Sequence, residues 1–435
     1  MQSTEYEKEK HNKVDEFSRV IGNLKDRKQR ILDGKTNCIP LSFERFRKHF
    51  PGVEMSKYII ITAMQKIGKT KLVDKLFIYD SFFYAIENPT QLKFKALYFT
   101  LEESKEIKIA SFYSYLLYKL DKIRISVSDL RSTDSFKPCP KEVLDLLESE
   151  RYQRYIKEFK KMVHYIDDVK NPTGINKYCR AYALDNGTLH MKKEYRRKED
   201  PFSMDSDSSK PKMVLTDVPD YYEADDPNEY RFIILDNFSN LTSEKGMSKH
   251  QTIEKMSKYF ITLRDQLKYS IIAVQHQAQD KEGLESKKFG ALEPSSDGLG
   301  DCKLTARDIN MLIGLYSPFK YGIKSYAGYN IEAFQNNIRF LNVIEDREYN
   351  SSGNICPLFF DGAVSEFIEL PMPDEEYELN KFLNLKRLMD EGVLHLRQRT
   401  PNTLFFSKSL KGVNIINKLK IYGKNCWNFW RKWCR

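Results

Sequence analysis

Short, uninterrupted apolar runs punctuate the middle of the chain: Tyr58-Ile59-Ile60-Ile61, Ala96-Leu97-Tyr98-Phe99, Phe232-Ile233-Ile234-Leu235, Ile271-Ile272-Ala273-Val274, Ile309 to Leu315 and Ile338 to Ile344. A strand with one wet face alternates apolar and polar residues. Continuous runs instead predict strands covered on both faces, as in a parallel sheet. Between several runs lie stretches with helical spacing, at 69–86, 103–120 and 250–268. Strand, helix and strand repeated in this way predict an α/β fold, a mostly parallel sheet flanked by helices.

The flanks read differently. Residues 1–36 predict a charged helix with a narrow stripe of Val14, Phe17, Val20, Ile21, Leu24 and Ile31, ended by Gly34 and Asn37. So narrow a stripe suits either a surface helix or an arm that docks on another subunit. Within the core, 186–230 breaks the pattern. Asp185-Asn186-Gly187 is a hairpin-turn signal. A basic patch, Lys192 to Lys198, follows, and then acidic sequence with Ser and Pro. Its low hydrophobicity predicts a flexible insertion, loosely held over 199–229. Beyond 371 a charged helical stretch (374–392) leads into a basic tail holding Trp427, Trp430 and Trp433. Base stacking, packing on the protein and contact with a lipid surface suit that tail equally. The expected division is a helix over 1–36, an α/β domain over 37–371 and an extension over 372–435.

Composition narrows the class. A hydrophobic fraction of 41% over 435 residues can bury a sizeable core. No apolar run approaches the roughly 20 residues of a membrane span, and the charged N-terminus has no apolar leader core. The seven cysteines are scattered without a CxxC pair, against a disulfide scaffold or zinc ribbon and in favour of a cytoplasmic location. A net charge of +10 is compatible with a polyanionic partner.

Three strand ends carry candidate chemistry. Ala63-Met64-Gln65-Lys66-Ile67-Gly68-Lys69-Thr70 follows the first core strand and opens a helix, as a phosphate-binding P-loop does, with Ala in place of the first Gly. Such a loop aims backbone N–H groups at phosphate oxygens, and the helix dipole adds partial positive charge. Lys69 would meet the β- and γ-phosphates of ATP, and Thr70 would offer a hydroxyl to Mg²⁺. Phe232 to Asp236 is an apolar strand ending in a carboxylate suited to the Mg²⁺ shell. Tyr98 to Glu103 ends another strand in acids. Glu102 there could polarise an attacking water, or simply serve a helix start.

The ordered set of P-loop, LYFTLEES, VHYIDD, PTGINKYCRAYA, FIILDNFSNL, IIAVQHQ and IRFLNVIEDREYNSSGNICPLFFDG resembles the ATPase domain of DnaB-type replicative helicases and their phage relatives, on the RecA-like fold. The resemblance covers about 40–370 apart from the insertion. It implies that Glu102 is the catalytic glutamate, that Lys69, Thr70 and Asp236 serve ATP and Mg²⁺, and that His276 or Gln275 is the γ-phosphate sensor. Arg347 falls on the arginine finger, although Glu345 stands where the family has a Lys. The resemblance further implies a homo-oligomeric, hexameric ring around single-stranded DNA, with residues 1–36 as the linker to the next subunit. The loops 239–250 and 278–300 would then carry DNA-contacting Lys245, Lys249, Lys281, Lys287 and Lys288. The domain that precedes the linker in DnaB proteins has no counterpart in the sequence, which leaves contact with primase open. A RecA- or KaiC-like DNA-binding ATPase without unwinding, and a loader subunit that binds ATP without hydrolysing it, are the alternatives.

Overall fold

A computed structural model of the chain describes residues 16–197, 213–278, 292–390, 399–400 and 403–404. The six predicted runs become strands: β1 (Tyr58–Ala63), β2 (Lys93–Thr100), β6 (Glu229–Asp236), β7 (Ser270–His276), β8 (Met311–Tyr316) and β9 (Ile338–Asp346), joined by β3 (Val163–Ile166), which was not among them. Strands β10 (Ile355–Asp361) and β11 (Glu366–Glu369) complete a nine-stranded sheet in the order β11-β10-β9-β8-β1-β7-β6-β2-β3. From β8 to β3 all neighbours are parallel, whereas β9, β10 and β11 pair antiparallel.

The continuous apolar runs have the cause expected of them. Alternate residues of one strand enter two different cores. Ile59 and Ile61 face the layer that contains Leu72, Phe77 and Phe112. Tyr58 and Ile60 face the layer that contains Ile175, Ile253 and Phe260. The first layer is built by α2, a continuous helical rod of Lys69–Val73, the π-helical Asp74–Tyr79 and Asp80–Glu87, with α3 (Lys105–Asp121) and α4 (Glu150–Met162). The second is built by α5 (Pro172–Asp185) and α6 (Lys249–Leu267). Helix α7 (Glu376–Asp390) lies beyond the sheet, and Phe382 packs against Phe359 of β10. No helix among the described residues is long and apolar enough to cross a membrane.

The insertion departs from expectation. Asp185 ends α5, the Asn186 side chain donates to the Tyr182 carbonyl, and Gly187 opens a strand. Asp185-Asn186-Gly187 is thus a helix-to-strand junction and not a hairpin turn. Gly187 is needed there because a Cβ would lie 2.3 Å from the Tyr222 hydroxyl. Strands β4 (Gly187–Arg197) and β5 (Met213–Ala224) then form a separate antiparallel ribbon, so 213–224 is not the loose segment that composition predicts. Cross-strand pairing holds the ribbon, and Val218 and Tyr222 of β5 are buried.

Helix α1 (Glu16–Leu32) is tied down near its C-terminal end. Arg30 donates to Asn228 and to the Thr36 and Gln91 carbonyls, and Arg27 pairs with Glu54. Its apolar stripe does not pack on the described residues: Phe17, Val20, Ile21 and Leu24 are each more than half exposed.

Candidate functional site

The register of the sheet gathers the three candidate strand ends. Ala63 of β1 lies opposite His276 of β7, Leu235 of β6 opposite Ala273 of β7, and Asp236 opposite Thr100 of β2. Because these strands are parallel, the P-loop, His276, Asp236 and Glu102 all emerge at the same carboxyl edge. Strand β7 separates the P-loop strand from the Asp236 strand, so those two ends stand about 10 Å apart. A cleft of about 640 Å³ opens between them, lined by Gln65, Lys66, Glu102, Asn237, His276 and Asp301 among others.

On the phosphate side, the chain turns through Lys66 (φ 62°) and Gly68 (φ 108°) into α2. Gly68 answers both to its left-handed φ and to the Phe360 ring, whose Cζ would lie 3.1 Å from an added Cβ. Lys69 is buried and donates to the carbonyls of Ala63 (3.1 Å) and Met64 (2.8 Å), which holds its ammonium inside the loop. Thr70 follows on the first turn and is partly exposed.

On the water side, Asp236 is 1% exposed. Its Oδ2 accepts from the Tyr98 hydroxyl at 3.2 Å and lies 3.7 Å from the Lys108 ammonium, while its Oδ1 has no partner. A buried carboxylate oxygen left unsatisfied next to the cleft-lining Asn237 is costly unless a ligand uses it. No cluster of three or more His, Cys, Asp or Glu occurs among the described residues. The free Asp236 Oδ1 and the Thr70 hydroxyl are oxygens of the kind that suit Mg²⁺, an ion that takes few protein oxygens and completes its shell with water and phosphate.

Glu102 lies two residues before the Ser104 cap of α3, outside the helix itself. It stands exposed at the cleft mouth, where the Asn237 amide donates to its Oε2 at 2.6 Å. The same amide nitrogen lies 3.0 Å from His276 Nε2. Asn237 is thus a bridge that the sequence reasoning missed. Its only sequence signal is its place directly after the strand-end aspartate. Burial pushes the His276 imidazole down to about 4, helped by the Lys69 ammonium and opposed by Asp236 and Asp301. His276 is therefore neutral from about pH 6 upward. With Nε2 accepting from Asn237, the ring proton sits on Nδ1, a buried donor that has no partner among the described residues.

Of the two sensor candidates, only His276 reaches the cleft. Gln275 is buried on the other side of the strand, donating to the Gly300 and Cys302 carbonyls and accepting from Thr305. Gln277 likewise binds Thr62 and Ser295, so both glutamines pin the returning segment. Arg347 is not near this cleft. Asp346 pairs with Met311, which pairs with Ile59 at the start of β1; along the strand that is at least about 13 Å from Ala63. The Arg347 guanidinium is exposed and donates to the Arg307 carbonyl at 2.7 Å. Among the loop lysines, Lys245 is exposed, whereas Lys249 donates to the Leu241 carbonyl at 2.6 Å. Lys281, Lys287 and Lys288 lie outside the described residues, as do the tail tryptophans.

No protein-family model and no curated protein matches the chain. Among solved structures it is similar to the ATPase domain of G40P, at a TM-score of 0.56 and 13% identity over 83% of this chain and 100% of that one. It is also similar to a DnaB-like replicative helicase described with its interactions with primase, at 0.52 and 12%, over 82% of this chain and 67% of that one. At such identities the likeness speaks for architecture: the chain has the RecA-like α/β fold that DnaB-like helicase ATPase domains share.

Proposed function

We propose that the chain is an ATP-hydrolysing motor of the DnaB type that moves along single-stranded DNA and unwinds duplex. The observation that carries this reading is the shared carboxyl edge: a P-loop with its lysine inside, a buried carboxylate oxygen without a partner, and a glutamate held by Asn237 across one cleft. Phosphate oxygens are stronger acceptors for the Lys69 ammonium than the loop carbonyls it now meets, so the β- and γ-phosphates would draw it across. Glu102 orients the water for in-line attack on the γ-phosphorus. His276 Nδ1–H donates to a γ-phosphate oxygen and, through Asn237, senses where Glu102 stands. Thr70 and Asp236 would hold Mg²⁺, which would supply neutralisation of phosphate charge.

An Arg347 this far from its own cleft suits a finger inserted into a neighbour's, and the bare apolar stripe of α1 suits a helix that packs on that neighbour. Both features favour a homo-oligomeric ring. Lys245, with Lys249, Lys281, Lys287 and Lys288, is the proposed contact with DNA phosphates, a salt-sensitive interaction. Primase or other replisome proteins are the proposed further partners.

The deciding experiment measures ATP turnover with and without single-stranded DNA, alongside mass and strand displacement from a fork in the same buffer. Stimulated turnover by an oligomer that displaces the strand is the expected result. Turnover without displacement would select the recombinase-like alternative. Tight ATP binding without turnover would select the loader.

Two substitutions probe the cleft itself. Glu102→Gln should bind ATP as tightly as the wild type yet turn over at least about 10²-fold more slowly, because its charge acts on the attacking water. Asn237→Ala should lower kcat by roughly 10²-fold through misplacement of Glu102, with nucleotide affinity retained in a binding titration. Neither variant should introduce an inflection near the ordinary imidazole value into the pH–rate profile, since His276 titrates at about 4.

A further inference from the structure

Arg339, the second residue of β9, is among the largest fully buried side chains of the protein, at 2% exposure. Buried guanidinium groups normally face a carboxylate. This one has none among the described residues. Its Nε donates to the Ile67 carbonyl at 2.8 Å, Nη1 to the Asn336 and Ile338 carbonyls, and Nη2 to the Asn336 amide oxygen. Its plane lies over the Phe360 ring at 4.8 Å, and that ring is the one closely apposed to Gly68. The charge is held by neutral acceptors alone, and burial draws its pKa down to about 10.

The bond to Ile67 gives this cation a direction of action. The Ile67 carbonyl and the Gly68 N–H belong to one peptide group, and in a trans peptide they point in opposite directions. A guanidinium that fixes the carbonyl on the outer side of the loop fixes the N–H toward its inner side, where phosphate would lie. It also polarises that peptide, which strengthens the N–H as a donor.

We infer that Arg339 is a positioning residue for the nucleotide: a buried cation behind the P-loop that orients the Ile67–Gly68 peptide toward the phosphate chain, whose negative charge is its electrostatic partner. The inference rests on the proposed nucleotide-binding role of the loop and adds to it a residue outside the motif. It accounts for a buried charge that would otherwise only cost stability. The Asn336 and Ile338 carbonyls hold the group in place, and the Phe360 ring fixes its plane against the turn at Gly68.

The test compares Arg339→Met, which keeps the stem over Phe360 without charge, with Arg339→Lys, which keeps the charge. Affinities of the full chain for ATP, ADP and AMP are measured by titration, with thermal midpoints and with kcat at saturating ATP. Arg339→Met is expected to weaken ATP and ADP by roughly tenfold or more and to leave AMP within about twofold, so the preference for phosphate chains shrinks. Once ATP saturates, kcat stays near the wild-type value, and Arg339→Lys recovers most of the preference. A folded Arg339→Met chain with the wild-type ATP-to-AMP preference overturns the inference, as does equal loss in the Met and Lys variants. Should the Met variant not fold, Arg339→Gln takes its place with the same two readings. A wild-type chain that binds ATP no better than AMP overturns the nucleotide reading of the loop, and this inference with it.

Discussion

Lys69→Ala is expected to abolish ATP turnover, by at least roughly 10²–10³-fold, in a chain that still folds. The size of the effect follows from where the ammonium sits. It is buried within the turn between β1 and α2 and already desolvated, so its attraction for a phosphate oxygen is little screened by water. The fold should survive because the freed Ala63 and Met64 carbonyls lie next in sequence to Gln65 and Lys66, which line the open cleft, so water can take the place of the ammonium. A thermal midpoint within a few degrees of wild type, with turnover at background, is the expected pair of readings. Turnover near the wild-type rate would remove the P-loop from the chemistry.

Arg347→Ala should be as silent on its own, losing about 10³-fold or more, and yet be rescued by mixing with Lys69→Ala. Each protomer carries its Arg347 at the edge of the sheet opposite its own cleft. A site that draws its lysine from one protomer and its guanidinium from the next can be rebuilt from two different defects. In a random mixture about a quarter of the interfaces would pair an intact Lys69 with an intact Arg347. Recovered turnover on mixing two inactive proteins is the measurement, with each variant alone as the control. Stability should hardly change, because the Arg347 side chain is exposed. No recovery would argue for sites complete within one protomer.

The central sheet was legible because burial on both faces leaves mostly apolar side chains in the strands, and such runs survive any uncertainty about their neighbours. The P-loop, Glu102 and Asp236 were legible because they sit at the ends of those runs. The ribbon of β4 and β5 was not. It gains its order from pairing between strands whose side chains are mostly exposed, so Lys192, Glu194 and Asp217 look like any solvated segment. Asn237 was missed because its place after the strand-end aspartate gains meaning only when the fold sets Glu102 and His276 on either side of it. The choice between Gln275 and His276 needed only the two-residue period of a strand, but the register that fixes it is a property of the sheet. Arg339 is a plainer case. One arginine in an apolar strand reads as an irregularity, and its meaning depends on Ile67, far away in sequence.

The anchoring of α1 by Arg27 and Arg30 has a practical corollary. It leaves a row of apolar side chains from Phe17 to Leu24 exposed along the helix. Lone protomers should adhere to plastic and to one another, so purification at low concentration would lose material that a crowded solution keeps. Replacing Val20 and Leu24 with glutamate should yield a better-behaved preparation of a chain that no longer assembles.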